Sequence, residues 1–206
     1  MQKKTFIFDL DGVLIDSKKN MELSWSHVSD KYFLKIEFKN YFKYLGLPFY
    51  DILKKLRIEK KLFKKIDQDY KNFSRANINK IKLYKDVVPV LKFLSKNCLI
   101  AIVTSKDKKR AVEILKKFNL PFKIIECPSK KKKGKPDPTL IKIALKKLKS
   151  NIENSYYVGD MEVDFKASKN AKIKFIFSKY GYSEYKKKYL LQINKFKDLL
   201  KIYKLK

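Results

Sequence analysis

Asp9 and Asp11 stand one residue apart after the apolar run Phe6-Ile7-Phe8, with Gly12 close behind them. The run reads as a buried strand, and in a strand residues i and i+2 share a face, so the two carboxylates converge on one point if the strand geometry extends as far as Asp11. Like charges held together at the edge of a core require a proton or a cation, and a hard, oxygen-seeking ion such as Mg²⁺ suits them. Gly12 permits a sharp turn. Asp-Gly is equally a common turn pair, so a plain acidic turn ending a strand is the competing expectation.

Three further segments place chemistry-bearing groups next to apolar runs. Thr104-Ser105 follow Ile100-Ala101-Ile102-Val103; hydroxyls and N–H groups at a strand-to-helix turn suit a phosphate, and they also suit an ordinary helix cap. Lys135 lies in Gly134-Lys135-Pro136-Asp137-Pro138, where flanking glycine and prolines restrict the backbone and fix a charge in place. Asp160 and Asp164 follow Tyr157-Val158-Gly159 at i,i+4 spacing, on one face of a following helix. Acids at a helix start are also favoured by the helix dipole alone.

These segments need a scaffold, and the chain supplies one as strands alternating with helices. Strands are expected near Phe6–Phe8, Cys98–Val103, Phe122–Cys127, Tyr156–Val158 and Phe175–Phe177, the last taken as the final core strand. Helices are expected at Val87–Leu94, Ala111–Phe118, Pro138 to about Leu148, after Gly159-Asp160 to about Ala171, and from Ile193 to Leu205. That order predicts an α/β fold, a doubly wound, Rossmann-like parallel sheet whose ligands bind at the carboxyl ends of strands. Residues 17–82 lack strand alternation and read as an all-helical insert, with Asp16 and Ser17 as N-caps and Gly46-Leu47-Pro48 as an internal break. The division expected is a core of 1–16 and 83–206 and a helical segment of 17–82.

The formal net charge is +30, with only three arginines among 51 basic residues. Such a field attracts polyanions, but the lysines are spread along the whole chain beside abundant Ile, Phe, Tyr and Asn. Base-reading interfaces favour arginine, so nucleic acid is not an expected partner, and Lys130-Lys131-Lys132-Lys133 reads as a solvated loop. Cys98 and Cys127 lack metal-site spacing and are expected as reduced core residues. No apolar stretch approaches a membrane span or a signal peptide, and a cytoplasmic location is expected. His27 is read as a polar position of the helical segment and Trp25 as part of its core.

Taken together, Asp9-Leu10-Asp11-Gly12-Val13, Thr104, Lys135-Pro136-Asp137-Pro138 and Gly159-Asp160 with Asp164 resemble, in order, the four motifs of the haloacid dehalogenase-like superfamily. The resemblance covers Lys4 to about Ser178; Ala171-Lys172 departs from the usual Ala-Gly. The insert occupies the position of that family's C1 helical cap, and the short interval between the second and third motifs leaves no room for a large second cap. The resemblance implies a Mg²⁺-dependent phosphatase acting on a small phosphate monoester, a phosphorylated acid or sugar, as a monomer or homodimer. Asp9 would be the nucleophile, Asp11 the general acid and base, and Thr104, Ser105 and Lys135 the phosphate holders. Asp9, the Asp11 carbonyl and Asp160 would be the metal ligands, with Asp164 supporting metal or bound water. Dehalogenase chemistry is not implied, because those enzymes lack an acid set containing Asp11. A sugar phosphomutase of the same superfamily, with the same core and cap, is the alternative, and an inactive polyanion-binding or regulatory protein is the alternative from another class. Tyr180-Gly181-Tyr182 resembles a segment of phosphoglycolate phosphatases.

Overall fold

The computed structural model describes residues 3–183 and 189–205. The first strand, β1 (Thr5–Phe8), is buried along its whole length. Alternation divides it between two layers: Phe6 and Phe8 join one apolar cluster and Ile7 the other. Complete burial of each such side chain stabilises the fold by about 1.5–3 kcal/mol. The chain then turns through Gly12 (φ +78°), whose N–H donates to Ile15 O at 2.9 Å, into β2 (Ile15–Asp16).

Four helices follow: α1 (Lys18–Lys31), α2 (Phe38–Phe42), α3 (Phe49–Lys55) and α4 (Phe63–Ala76). They enclose their own cluster, centred on Trp25, which stacks on Tyr41 at 4.6 Å and donates from Nε1 to Ile36 O. A short strand, β3 (Lys82–Leu83), returns antiparallel to β2, so entry and exit of the helical segment lie side by side. Buried Asn20 reinforces that junction, donating to Ser74 O and Asn77 O while accepting from Ser74 Oγ. Ser17 precedes α1 without capping it; its hydroxyl is committed to Asp11 instead, and Asp16 Oδ1 accepts from Lys18 N.

The remaining elements run α5 (Val87–Asn97), β4 (Leu99–Val103), α6 (Lys108–Lys117), β5 (Ile125–Glu126), α7 (Thr139–Leu148), β6 (Ser155–Gly159), α8 (Glu162–Asn170), β7 (Lys174–Ser178), β8 (Leu191–Ile193) and α9 (Leu199–Lys204). The six-stranded sheet has the order β5-β4-β1-β6-β7-β8 and every pairing is parallel. The chain winds outward from β1 through β4 to β5, then crosses to the other side of β1 for β6. That reversal opens a crevice at the carboxyl ends of β1, β4 and β6.

Two sequence expectations are corrected here. The strand expected over Phe122–Cys127 shortens to Ile125–Glu126, because Phe122 N–H turns back to Leu120 O. β7 is not the last core strand, since β8 pairs with it at the edge; Ile193 therefore ends a strand, and helical structure begins with a 3₁₀ turn at Phe196–Asp198. Both cysteines are free and buried. Lys130, Lys131 and Lys133 are exposed, while Lys132 pairs with buried Glu126. Among the described residues, no helix is long and apolar enough to cross a membrane.

Candidate active site

Each acid flagged in the sequence follows a buried strand. Asp9 continues the β1 ladder, its N–H donating to Val158 O, and the residue is 4% exposed. Asp160 follows β6 and Asp164 lies in the first turn of α8; both are fully buried. One oxygen from each of these three carboxylates lies within 4.8 Å of the others.

A single cation is built into that cluster. Lys135 Nζ, on a side chain 1% exposed, lies 2.7 Å from Asp9 Oδ2 and 2.6 Å from Asp164 Oδ1. Burial opposes its charge, but Asp164 and Asp9 outweigh that and raise its pKa well above the ordinary lysine value. The charges still do not balance. Burial pushes the Asp9 carboxyl up to about 7, with Asp164 and Asp11 adding to the rise and Lys135 opposing it. Burial, with Asp164 and Asp9 nearby, also pushes Asp160 well up. Asp160 Oδ2 accepts from Tyr182 N–H at 2.7 Å, while Oδ1 is buried with no hydrogen-bond partner. A buried, unpartnered carboxylate oxygen among excess negative charge fits a hard divalent cation.

Asp164 also serves the helix start, its Oδ2 accepting from Asp160 N–H at 3.1 Å and Met161 N–H at 2.9 Å. The helix-start reading of this residue holds, and the same side chain joins the group of buried acids. Close packing maintains the geometry: a Cβ on Gly12 would lie 2.1 Å from Asp160 Oδ2, and one on Gly159 would lie 2.4 Å from Asp164 Cβ.

Asp11 does not converge with Asp9 on the cation cluster through its side chain. The strand ends at Phe8, and the turn at Gly12 directs the Asp11 carboxylate to Ser17 Oγ and, at 3.2 Å, to Lys106 Nζ. Asp9 and Asp11 nevertheless line one cavity of about 60 Å³, together with Thr104 and Ser105. Thr104 is 1% exposed and accepts at Oγ1 from Lys106 N–H; Ser105 Oγ donates to Gly46 O across the crevice. The helix-cap reading of this pair is corrected, because α6 is capped by Asp107, which accepts from Arg110 N–H.

Several participants carried no signal in sequence. Lys106 and Arg110 are 8% and 7% exposed and line the cavity, as do Tyr41 and Tyr70 from the helical segment. Tyr182 lies in a segment noted for its resemblance, yet its N–H contact with Asp160 joins residues far apart in the chain. His27 stacks on Phe73 at 4.3 Å and is not among the cavity residues. Lys135 shares the carboxylate cluster rather than the cavity lining.

The family model for haloacid dehalogenase-like hydrolases matches residues 6–178. The chain is similar to the pyrophosphatase PpaX of Halalkalibacterium halodurans, 30% identical over 84% of this chain and 82% of that protein. It is also similar to the phosphoglycolate phosphatase of Aquifex aeolicus, 28% identical over 87% and 86% of the two chains. Among solved structures, a hydrolase from Pseudomonas syringae superposes with a TM-score of 0.86 at 26% identity, covering 97% of both chains.

Proposed function

The chain belongs to the haloacid dehalogenase-like hydrolase family and is one of its phosphatases, and we propose that it hydrolyses a small phosphorylated acid or sugar through an aspartyl-phosphate, with Mg²⁺ as cofactor. The observation that carries this reading is the buried group of Asp9, Asp160 and Asp164, with one Asp160 oxygen unpartnered, beside a cavity that Asp9 also lines. The relatives named for pyrophosphate and phosphoglycolate support a small substrate.

Asp9 and Asp160, with the Asp11 backbone carbonyl, would hold Mg²⁺, and Asp164 would orient that set. When bound, the ion offsets negative charge between nucleophile and phosphate. A carboxylate oxygen of Asp9 attacks phosphorus, and the bond from phosphorus to the leaving oxygen breaks. Asp11, oriented by Ser17 and Lys106, gives its proton to that oxygen. In the second half, Asp11 takes a proton from water as the water oxygen attacks phosphorus, and the bond to Asp9 breaks. Thr104, the Ser105 N–H and Lys135 hold the transferring oxygens. The helical segment excludes bulk water, with Ser105 bonded to Gly46 across the crevice. Two unpaired, buried cysteines support a cytoplasmic location.

The test is phosphate release from an aryl phosphate and a panel of small monoesters, with Mg²⁺ or chelator, for wild type and Asp9→Asn. Turnover should require Mg²⁺ and fall roughly 10⁴-fold or more in the variant. Wild-type turnover that survives Asp9→Asn overturns the nucleophile, and a silent panel overturns the substrate class.

A further inference from the structure

The cavity contains a cation that phosphoryl transfer itself does not require. Arg110, in the first turn of α6, lines it beside Asp9, Asp11 and Thr104 and is one of only three arginines in the chain. Its Nε donates to Asp107 Oδ2, an acid three residues away on the same helix start. The guanidinium lies 5.2 Å from the centre of the Tyr70 ring, and Tyr70 Oη lies 3.1 Å from Tyr41 Oη. Burial raises both phenols, so both hydroxyls keep their protons.

A clasp between core and helical segment would set an acid of the segment against this arginine. Instead the segment presents two phenols, and the pairing acid is local. Asp107 takes Nε and the Tyr70 hydroxyl takes a further N–H, and a guanidinium has five N–H donors in a planar fork, so it keeps others suited to a carboxylate or phosphate. Thr104, Ser105 and Lys135 already serve the transferring phosphoryl group. One water needs about 10–15 Å³ of such space, so a cavity of about 60 Å³ admits a leaving group of few heavy atoms.

We propose that Arg110 determines specificity at this site by receiving a second anionic group, a carboxylate or a phosphate, on a small leaving group, with the Tyr41 and Tyr70 hydroxyls beside it. The proposal rests on the phosphatase reading above.

The experiment compares kcat/KM, with Mg²⁺ present, for 2-phosphoglycolate, pyrophosphate, 2-hydroxyethyl phosphate and an aryl phosphate. Wild type should favour one of the charged pair over 2-hydroxyethyl phosphate, and which one it favours identifies the anion. Arg110→Lys keeps a charge opposite Asp107 but loses the fork, and should cut that preference about ten-fold, mainly through KM. Tyr70→Phe keeps the ring and should cut it about three-fold, which provides a second reading should Arg110→Lys not fold. Wild-type indifference to leaving-group charge, or an equal fall for all four substrates in the variants, overturns the proposal while leaving the phosphatase intact. Failure of wild type on all four removes the phosphatase reading and this proposal with it.

Discussion

Lys135 Nζ lies 2.7 Å from Asp9 Oδ2, and both side chains are removed from solvent. The same ammonium also reaches Asp164, so it is the internal counter-charge for a group of three buried acids. Lysine with a raised folded-state pKa contributes stability that is fully present below its unfolded value and is lost only as pH rises through the folded one. It therefore remains charged throughout the neutral range.

Lys135→Gln should accordingly destabilise the metal-free protein by about 3–5 kcal/mol near pH 8, the cost of stranding buried charge. The loss should shrink toward pH 5, where the raised carboxyls of Asp9 and Asp160 take up protons. Urea denaturation at the two pH values measures it. A loss independent of pH, or smaller than about 1 kcal/mol, would contradict the role given to this lysine.

Asp160→Asn should act in the opposite direction. Its carboxyl is raised by burial and then by Asp164 and Asp9. A carboxyl whose folded pKa lies above its unfolded one binds its proton more tightly when folded, so it carries no penalty at low pH and a growing penalty as pH climbs. Asparagine retains an acceptor for Tyr182 N–H and removes the charge. The metal-free variant should gain about 1–2 kcal/mol at pH 8, a rise of roughly 2–8 °C in melting temperature, and less at pH 5. It should also lose the stabilisation that added Mg²⁺ gives wild type. Equal gains at both pH values would contradict this electrostatic account.

The parts of this site that could be read from the sequence lie beside strongly patterned segments. Asp9, Thr104 and Asp160 each follow an apolar run long enough to declare itself as a buried strand, and their order predicts the crevice. Lys106 and Arg110 occupy a helix start that reads as basic and exposed, but both are buried beside a cavity that Tyr41 and Tyr70 of the helical segment also line. Among 51 basic residues, no local feature distinguishes them. β8 is three residues long at a sheet edge, with Ile193 buried and Gln192 exposed, too short for its alternation to register. Asp11 diverges from Asp9 because the strand geometry on which their convergence depends ends at Phe8.

Gly181 packs against Asp160 and Gly12. An added Cβ there would lie 2.3 Å from Asp160 Cβ and 2.6 Å from Gly12 O. Its neighbour Tyr182 donates the N–H that holds Asp160 Oδ2, and the Tyr182 hydroxyl accepts from Ser17 N–H at 2.6 Å. Gly181→Ala must therefore shift either this backbone or the Asp160 side chain, altering the orientation of an acid proposed to hold Mg²⁺. Groups that orient metal ligands typically cost about 10–100-fold in affinity or activity when lost. The Mg²⁺ concentration for half-maximal turnover should rise by that order in Gly181→Ala. Tyr182→Phe keeps the backbone N–H and should leave the Mg²⁺ requirement within about three-fold of wild type. An unchanged requirement in Gly181→Ala, with the variant folded by thermal melting, would separate this segment from the metal site.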